Sequence, residues 1–128
     1  MKLVLRANLP FVTVRITHEG ASIDIDNVLI DTGSASTVLS ADRLAALGIT
    51  PRPTDPLRTL RGIGGRELVF TRLLERIDIG EMGVEDFEVE VGGMDYGFAI
   101  HGIVGMDFLM ATHAVLDLSA LTIEPSTR

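Results

Sequence analysis

The stretch VLIDTGSASTVLS, residues 28–40, runs through three apolar residues and then meets an acid and a polar turn. Val28, Leu29 and Ile30 are aliphatic residues of the kind that fill a buried strand. Asp31 follows them directly, and a carboxylate at the end of such a run keeps its charge only if the chain beyond it supplies donors. Thr32, Gly33, Ser34 and Ser36 offer them. The backbone N–H of Gly33 can approach the carboxylate because no Cβ stands in the way, and the Ser34 hydroxyl can donate to the ionised form. The same tripeptide also serves as an ordinary turn cap at a strand end, so its setting has to decide.

On the N-terminal side, Val12, Val14 and Ile16 alternate with Thr13 and Arg15, the period of a half-buried strand, and His18 to Ala21 reads as a turn. Ile23 and Ile25 then alternate with Ser22, Asp24 and Asp26 and lead into the run that ends at Asp31. On the C-terminal side, Ser40 is placed to cap a helix in which Asp42 favours the N-terminal dipole, Leu44 and Leu47 form the apolar stripe and Gly48 ends it. The segment TPRPTDP, residues 50–56, has three prolines and must be an extended loop.

From Leu57 to Leu73 two strand-like runs flank GIGG, residues 62–65, and the second continues to Ile79 before a turn at Gly80 to Gly83. Phe87, Val89 and Val91 form one face of the next strand, with the acids Glu85, Asp86, Glu88 and Glu90 expected on its solvated face. GGMDYG, residues 92–97, is a loop, FAIHGIVG, 98–105, a strand, MDFLMA, 106–111, a short helix, and AVLDLSALTI, 114–123, a hairpin around Ser119 and Ala120. Many short strands with one or two brief helices predict a mostly β barrel or sandwich, because the strand and helix alternation of a parallel sheet is missing.

The 128 residues suit one domain, 1–128, and an apolar fraction of 46% supports a packed core. A net charge of −7 argues against a nucleic-acid-binding face. The absence of Cys excludes disulfides, thiolate nucleophiles and Cys-based zinc sites. No segment approaches a membrane span or a secretory leader, so a cytoplasmic protein is the expectation.

LIDTGSAST is similar to the active-site loop of the retroviral-type aspartic proteases, the retropepsins, in the version carried by bacterial single-lobe proteins. The glycine-rich RGIGGRE lies about thirty residues downstream, where that family has its flap, IVGMDFL resembles its pattern of two apolar residues and a Gly before a short helix, and VLDLSALTI resembles its closing strands. These features follow the family's order and span nearly the whole chain. The resemblance implies a mostly β, single-lobe retropepsin-like acid protease barrel with one or two short helices and a glycine-tipped flap hairpin.

It further implies that Asp31 is the catalytic carboxylate, acting in a homodimer with its own copy, while Thr32 and Gly33 hold and admit the paired loops. Ser34, Ala35, Gly62, Ile63, Gly64, Gly65, Ile103 and Val104 would bind or support a peptide or protein substrate, and no metal or cofactor is needed. A Ser34 hydroxyl bonded to the carboxylate would favour a more acidic working range. The activity so implied is that of an aspartic endopeptidase, with a catalytically silent dimerisation or peptide-binding module as the rival reading.

Other motifs fail on their surroundings. DIDNVLID, from Asp24, resembles the first motif of haloacid-dehalogenase-type phosphatases, but THEGAS before it is a turn and the only lysine is Lys2. No Gly occupies the sixth position of an EF-hand loop there. GIGG lacks the lysine of a phosphate-binding loop. His18, His101 and His113 are too dispersed for a metal site, no Gly-x-Ser-x-Gly elbow exists, and Arg58, Arg61 and Arg66 read as the charged edge of a soluble hairpin.

Overall fold

The computed structural model describes residues 1–62, 65–94 and 99–128, the side chains of 58–62 and 65–68 excepted. Ten strands, β1 (Val4–Arg6), β2 (Leu9–His18), β3 (Ala21–Ile30), β4 (Val38–Ser40), β5 (Leu57–Gly62), β6 (Gly65–Ile79), β7 (Met82–Gly92), β8 (Gly102–Val104), β9 (Ala114–Asp117) and β10 (Thr122–Pro125), are joined by two helices, α1 (Ala41–Leu44) and α2 (Met106–Ala111), among the described residues.

The alternating segments pair as their periodicity predicts. β2 pairs with β3 from Phe11–Leu29 to His18–Ala21, with a bulge between Val12 and Val14 that tightens its twist. One edge of β2 is shared, β1 taking Leu9 to Phe11 and β6 taking Arg15 to Thr17. The sheet therefore runs β2–β3–β8–β4–β7–β6 and returns to β2, a closed six-strand barrel from which β1 and β5 project. Closure pairs each of those six strands on both sides over at least part of its length.

Val14, Ile16, Ile25, Val28, Leu39, Leu74, Ile77 and Phe108 fill the barrel and its helical cap, with Phe108 edge-on to Phe87 at 6.0 Å between ring centres. A second cluster of Phe11, Val38, Val69, Met94 and Ile100 lies apart from the main core, with Leu9, Leu29 and Ile103 packed half-buried against it. Along β8 the alternation divides the two: Val104 belongs to the main core and Ile103 to the second cluster.

Four features depart from expectation. β1 and β4 are strands that the sequence did not announce, because each is three residues long and owes its conformation to a neighbour. The helix after Ser40 tightens into a 3₁₀ turn at Ala45–Leu47, closed by Gly48 at φ 75°, and Ser40 Oγ accepts from the Arg43 N–H at 3.4 Å. Of the strand expected over 98–105, Gly102–Val104 is a strand and 99–101 are coil, while 98, like 95–97 of the expected loop, lies outside the described residues. Glu90 is not on a solvated face: it is 4% exposed, between Thr71 of β6 and Val38 of β4, where β7 is covered on both sides.

Candidate active site

β8 lies between β3, which runs parallel to it, and β4, which runs antiparallel. The loop 31–37 therefore leaves β3, crosses the end of β8 beyond Val104 and enters β4. Asp31 begins that loop, and its N–H donates to the Val104 carbonyl at 3.0 Å, continuing the β3–β8 ladder by one bond. The Asp31 backbone is thus held by β8, while its side chain stays half-buried at the end of β3.

The Gly33 N–H donates to Asp31 Oδ1 at 2.9 Å, and a Cβ at Gly33 would stand 3.2 Å from the same oxygen. Glycine lets the donor come this close. The Ser34 N–H donates to the Asp31 carbonyl at 3.1 Å and closes the turn. The Ser34 hydroxyl does not serve the carboxylate as expected; it donates to the Ser36 carbonyl at 2.7 Å. Once the turn is closed through Ser34 N–H, the carbonyl two residues on is its local partner, as is common for serine in turns.

Behind the loop, Thr37 and Asp107 form the brace. Thr37 is fully buried, its N–H donates to Asp107 Oδ2 at 3.0 Å and its hydroxyl to Asp107 Oδ1 at 2.7 Å. The Gly105 N–H donates in turn to the Thr37 hydroxyl oxygen at 3.1 Å. Asp107 Oδ1 also accepts from the Phe108 N–H at 2.7 Å in the first turn of α2, where a negative charge suits the helix dipole. Two further bonds, Met106 N–H to the Ser34 carbonyl at 2.8 Å and Asp107 N–H to the Ala35 carbonyl at 3.2 Å, tie α2 to the loop. Gly105 sits so close that a Cβ there would fall 2.5 Å from the Ser36 carbonyl oxygen.

An acid at a strand end, a glycine donor on it and a buried Thr–Asp brace under the loop now stand together. Residues 12–108 match the family described as aspartyl protease. The chain belongs to the retropepsin-like aspartyl proteases. No curated protein matches it.

In this member of the family, Asp31, Thr32, Gly33, Ser34 and Ala35 are contiguous in the loop, with Thr32, Gly33 and Ala35 exposed. Ile103 pairs with Leu29 and faces the second cluster, whereas Val104 is fully buried and supports the loop from inside the core. β5 and β6 pair from Leu57–Phe70 out to Gly62–Gly65, which places those two glycines at the far end of the hairpin. Ile63 and Gly64, assigned to the flap tip, lie outside the described residues.

Thr37 and Asp107 were missed as a pair, although a polar Thr opening an apolar run and an acid two residues after the IVG glycine were the signals available. The phosphatase-like acids have structural partners instead. Asp24 bonds Arg15 at 2.9 Å, which holds its carboxyl below the usual aspartate range, and Asp26 meets His101 Nδ1 at 3.0 Å. Among the described residues no His, Cys, Asp and Glu group could hold a metal, and no helix is long and apolar enough to cross a membrane.

Proposed function

We propose that this protein is an aspartic endopeptidase that hydrolyses peptide bonds in extended polypeptide segments, acting as a homodimer in which the two Asp31 carboxylates share one site. The observation that carries the reading is Asp31 itself: a half-buried carboxylate locked to Val104, with the Gly33 N–H on one oxygen. Each chain supplies a single such acid. Two carboxylates brought within a few ångströms cannot both ionise readily, so the pair retains a proton that a lone acid would lose.

The ionised member takes a proton from water as it attacks the scissile carbonyl, and the protonated member donates to the carbonyl oxygen. Neither step needs a metal or a covalent intermediate. The exposed Thr32 and Gly33 are where the two loops would meet, and rigidity behind them comes from the Thr37–Asp107 brace. An extended peptide would lie against the half-buried Leu29 and Ile103, with the β5–β6 hairpin closing over it through backbone bonds as an added strand.

The test is cleavage of a diverse peptide library across about pH 3 to 8, with Asp31→Asn as the control and mass readout of the products. Cleavage that disappears in the variant supports the enzyme. Peptide binding without cleavage in either form, in a verified dimer, would instead leave the silent binding module.

A further inference from the structure

At the opposite end of β8 from Asp31, His101 stands in line with both neighbouring strands. Its N–H donates to the Asn27 carbonyl of β3 and its carbonyl accepts from the Ser40 N–H of β4, each at 2.9 Å. Asn27 and Asp31 are four residues apart along an extended chain, so this place lies about 13 Å from the acid.

The His101 ring is held at both nitrogens. Nδ1 lies 3.0 Å from the Asp26 carbonyl oxygen and 3.0 Å from Asp26 Oδ1, and Nε2 lies 3.0 Å from Nη2 of Arg43 in α1. β3 is shaped to meet it. Between the Val12–Val28 and Val14–Ile25 pairs, Asp26 and Asn27 stand opposite Thr13 alone, a bulge with Asn27 at φ 53°. Both carbonyls of the bulge end on His101, that of Asp26 on the ring and that of Asn27 on the backbone N–H.

These partners fix the tautomer. Nδ1 faces two acceptor oxygens and therefore carries the proton, which leaves Nε2 of the neutral ring as an acceptor for Arg43. Histidine is the side chain whose ordinary charge change falls between about pH 5 and 8. A proton added to this ring goes to Nε2 and makes it a donor, so Arg43 loses its acceptor and meets a second positive charge. Asp26 accepts from Nδ1 in either state.

Two donors then face the same space. Arg43 and His101 both line a cavity of about 450 Å³, together with the exposed Asp42 and the side chains of Met94 and Ile100, each 5% exposed. The charged groups at the ring among the described residues are Asp26 of β3 and Asp42 and Arg43 of α1; the other lining residues carry no charge. One permanent cation suits one carboxylate and falls short for a phosphate or a polycarboxylate. The buried Met94 and Ile100 suit an aliphatic group carried beside that carboxylate.

We infer that this cavity is a proton-gated carboxylate site. With His101 protonated, the C-terminal carboxylate of a peptide sits between Nε2–H and the Arg43 guanidinium and accepts from both, while the terminal side chain lies on Met94 and Ile100. Asp42 repels the ligand from the same wall. The site is separate from Asp31, and the inference does not depend on the cleavage reading.

Calorimetric titration of the full chain with N-acetyl-leucine tests it. Binding is expected to be at least about tenfold tighter at about pH 5 than at about pH 8, with a heat that follows the ionisation enthalpy of the buffer because a proton is taken up. The neutral N-acetyl-leucinamide should not bind. His101→Gln keeps a hydrogen-bonding side chain that cannot take a proton and should abolish the pH dependence. Arg43→Gln should weaken binding at about pH 5 by at least about tenfold, and Asp42→Asn should tighten it. Both of these positions are exposed, so the two variants test the site even if His101→Gln folds poorly.

Equal affinity at the two pH values, binding of the amide, or an affinity unchanged in Arg43→Gln would each overturn the site. Acetate binding as tightly as N-acetyl-leucine would overturn the peptide end as its ligand. Asp31→Asn should bind N-acetyl-leucine as the wild type does, and loss of binding there would overturn the site by placing the ligand in the cleft instead.

Discussion

Thr37 and Asp107 are seventy residues apart and joined by two hydrogen bonds, Thr37 N–H to Oδ2 and Thr37 hydroxyl to Oδ1, at 3.0 and 2.7 Å. The first residue ends the 31–37 loop and the second lies in the first turn of α2. The Gly105 N–H rests on the same threonine hydroxyl, so one fully buried side chain links the loop, the turn after β8 and the helix.

Thr37→Val removes the hydroxyl, leaving the Gly105 N–H without its partner and Asp107 Oδ1 with only the Phe108 N–H, at a cost of about 1–3 kcal/mol. Urea unfolding should show a lower midpoint with an unchanged slope. Peptide cleavage should fall by about tenfold or more, because the loop that positions Asp31 loses its brace. Thr37→Ser keeps the hydroxyl and should recover most of that lost rate. Failure of serine to rescue would assign the effect to the methyl group's packing.

Gly105→Ala places a methyl group 2.5 Å from the Ser36 carbonyl oxygen and 2.8 Å from that of Ser34. Both obstacles are backbone, so neither can rotate aside. The loop has to move, and overpacking of this kind costs about 1–3 kcal/mol. The expected result is a thermal midpoint lowered by several degrees together with cleavage reduced more than stability alone explains. Gly20→Ala is the control for the backbone change, since a Cβ there meets nothing within 4 Å, although its φ of 82° makes it mildly strained.

The sequence made some of this legible and hid the rest for identifiable reasons. The alternation Val12, Val14, Ile16 and the run Val28 to Ile30 announced β2 and β3, because side-chain period and burial coincide there. Gly33 announced its place, since a Cβ there would crowd the neighbouring carboxylate at 3.2 Å. β4 was hidden because its three residues are held extended by β7 and β8, and the burial of Glu90 was hidden because it sits where β4 and β6 flank β7, which no local pattern shows. The Thr37–Asp107 brace depends on a contact across seventy residues, which no local pattern encodes. Ser34 was misread for a related reason: its hydroxyl had two partners within reach, and the turn geometry chose the Ser36 carbonyl.

Ser34→Ala follows from that geometry. The hydroxyl serves the Ser36 carbonyl and not the Asp31 carboxylate, so its removal should leave the acid limb of the cleavage profile in place. Stability should drop by about 1 kcal/mol, the worth of one neutral hydrogen bond. The measurement is kcat/KM against pH for both forms. A profile whose limb moves in the variant would mean that Ser34 turns to the carboxylate in the dimer.

Asp55 gives the chain an acid-sensitive joint at the base of the β5–β6 hairpin. Arg72 of β6 donates to Asp55 Oδ2 at 2.7 Å and to the Thr50 carbonyl at 2.8 Å, and its guanidinium lies 5.5 Å from the Phe70 ring centre. The Arg72 hydrogen bond, helped by the Arg52 N–H, holds the Asp55 carboxyl below its ordinary value of 3.8, against burial that pushes the other way. A folded-state value below the unfolded one means that the contribution is complete above about pH 4–5. It declines as the unfolded chain begins to bind the proton near the ordinary value and is gone once pH has fallen through the folded-state value. Thermal midpoints of wild type and Asp55→Asn, followed from about pH 7 to pH 2.5, should therefore differ most at neutral pH and converge in acid. Parallel curves would show that Asp55 takes no part in the acid response. Because the Thr71 N–H also holds the Pro56 carbonyl at 3.2 Å beside this pair, loss of the Arg72 bond should free the 50–56 loop first, read as faster amide exchange there at acid pH.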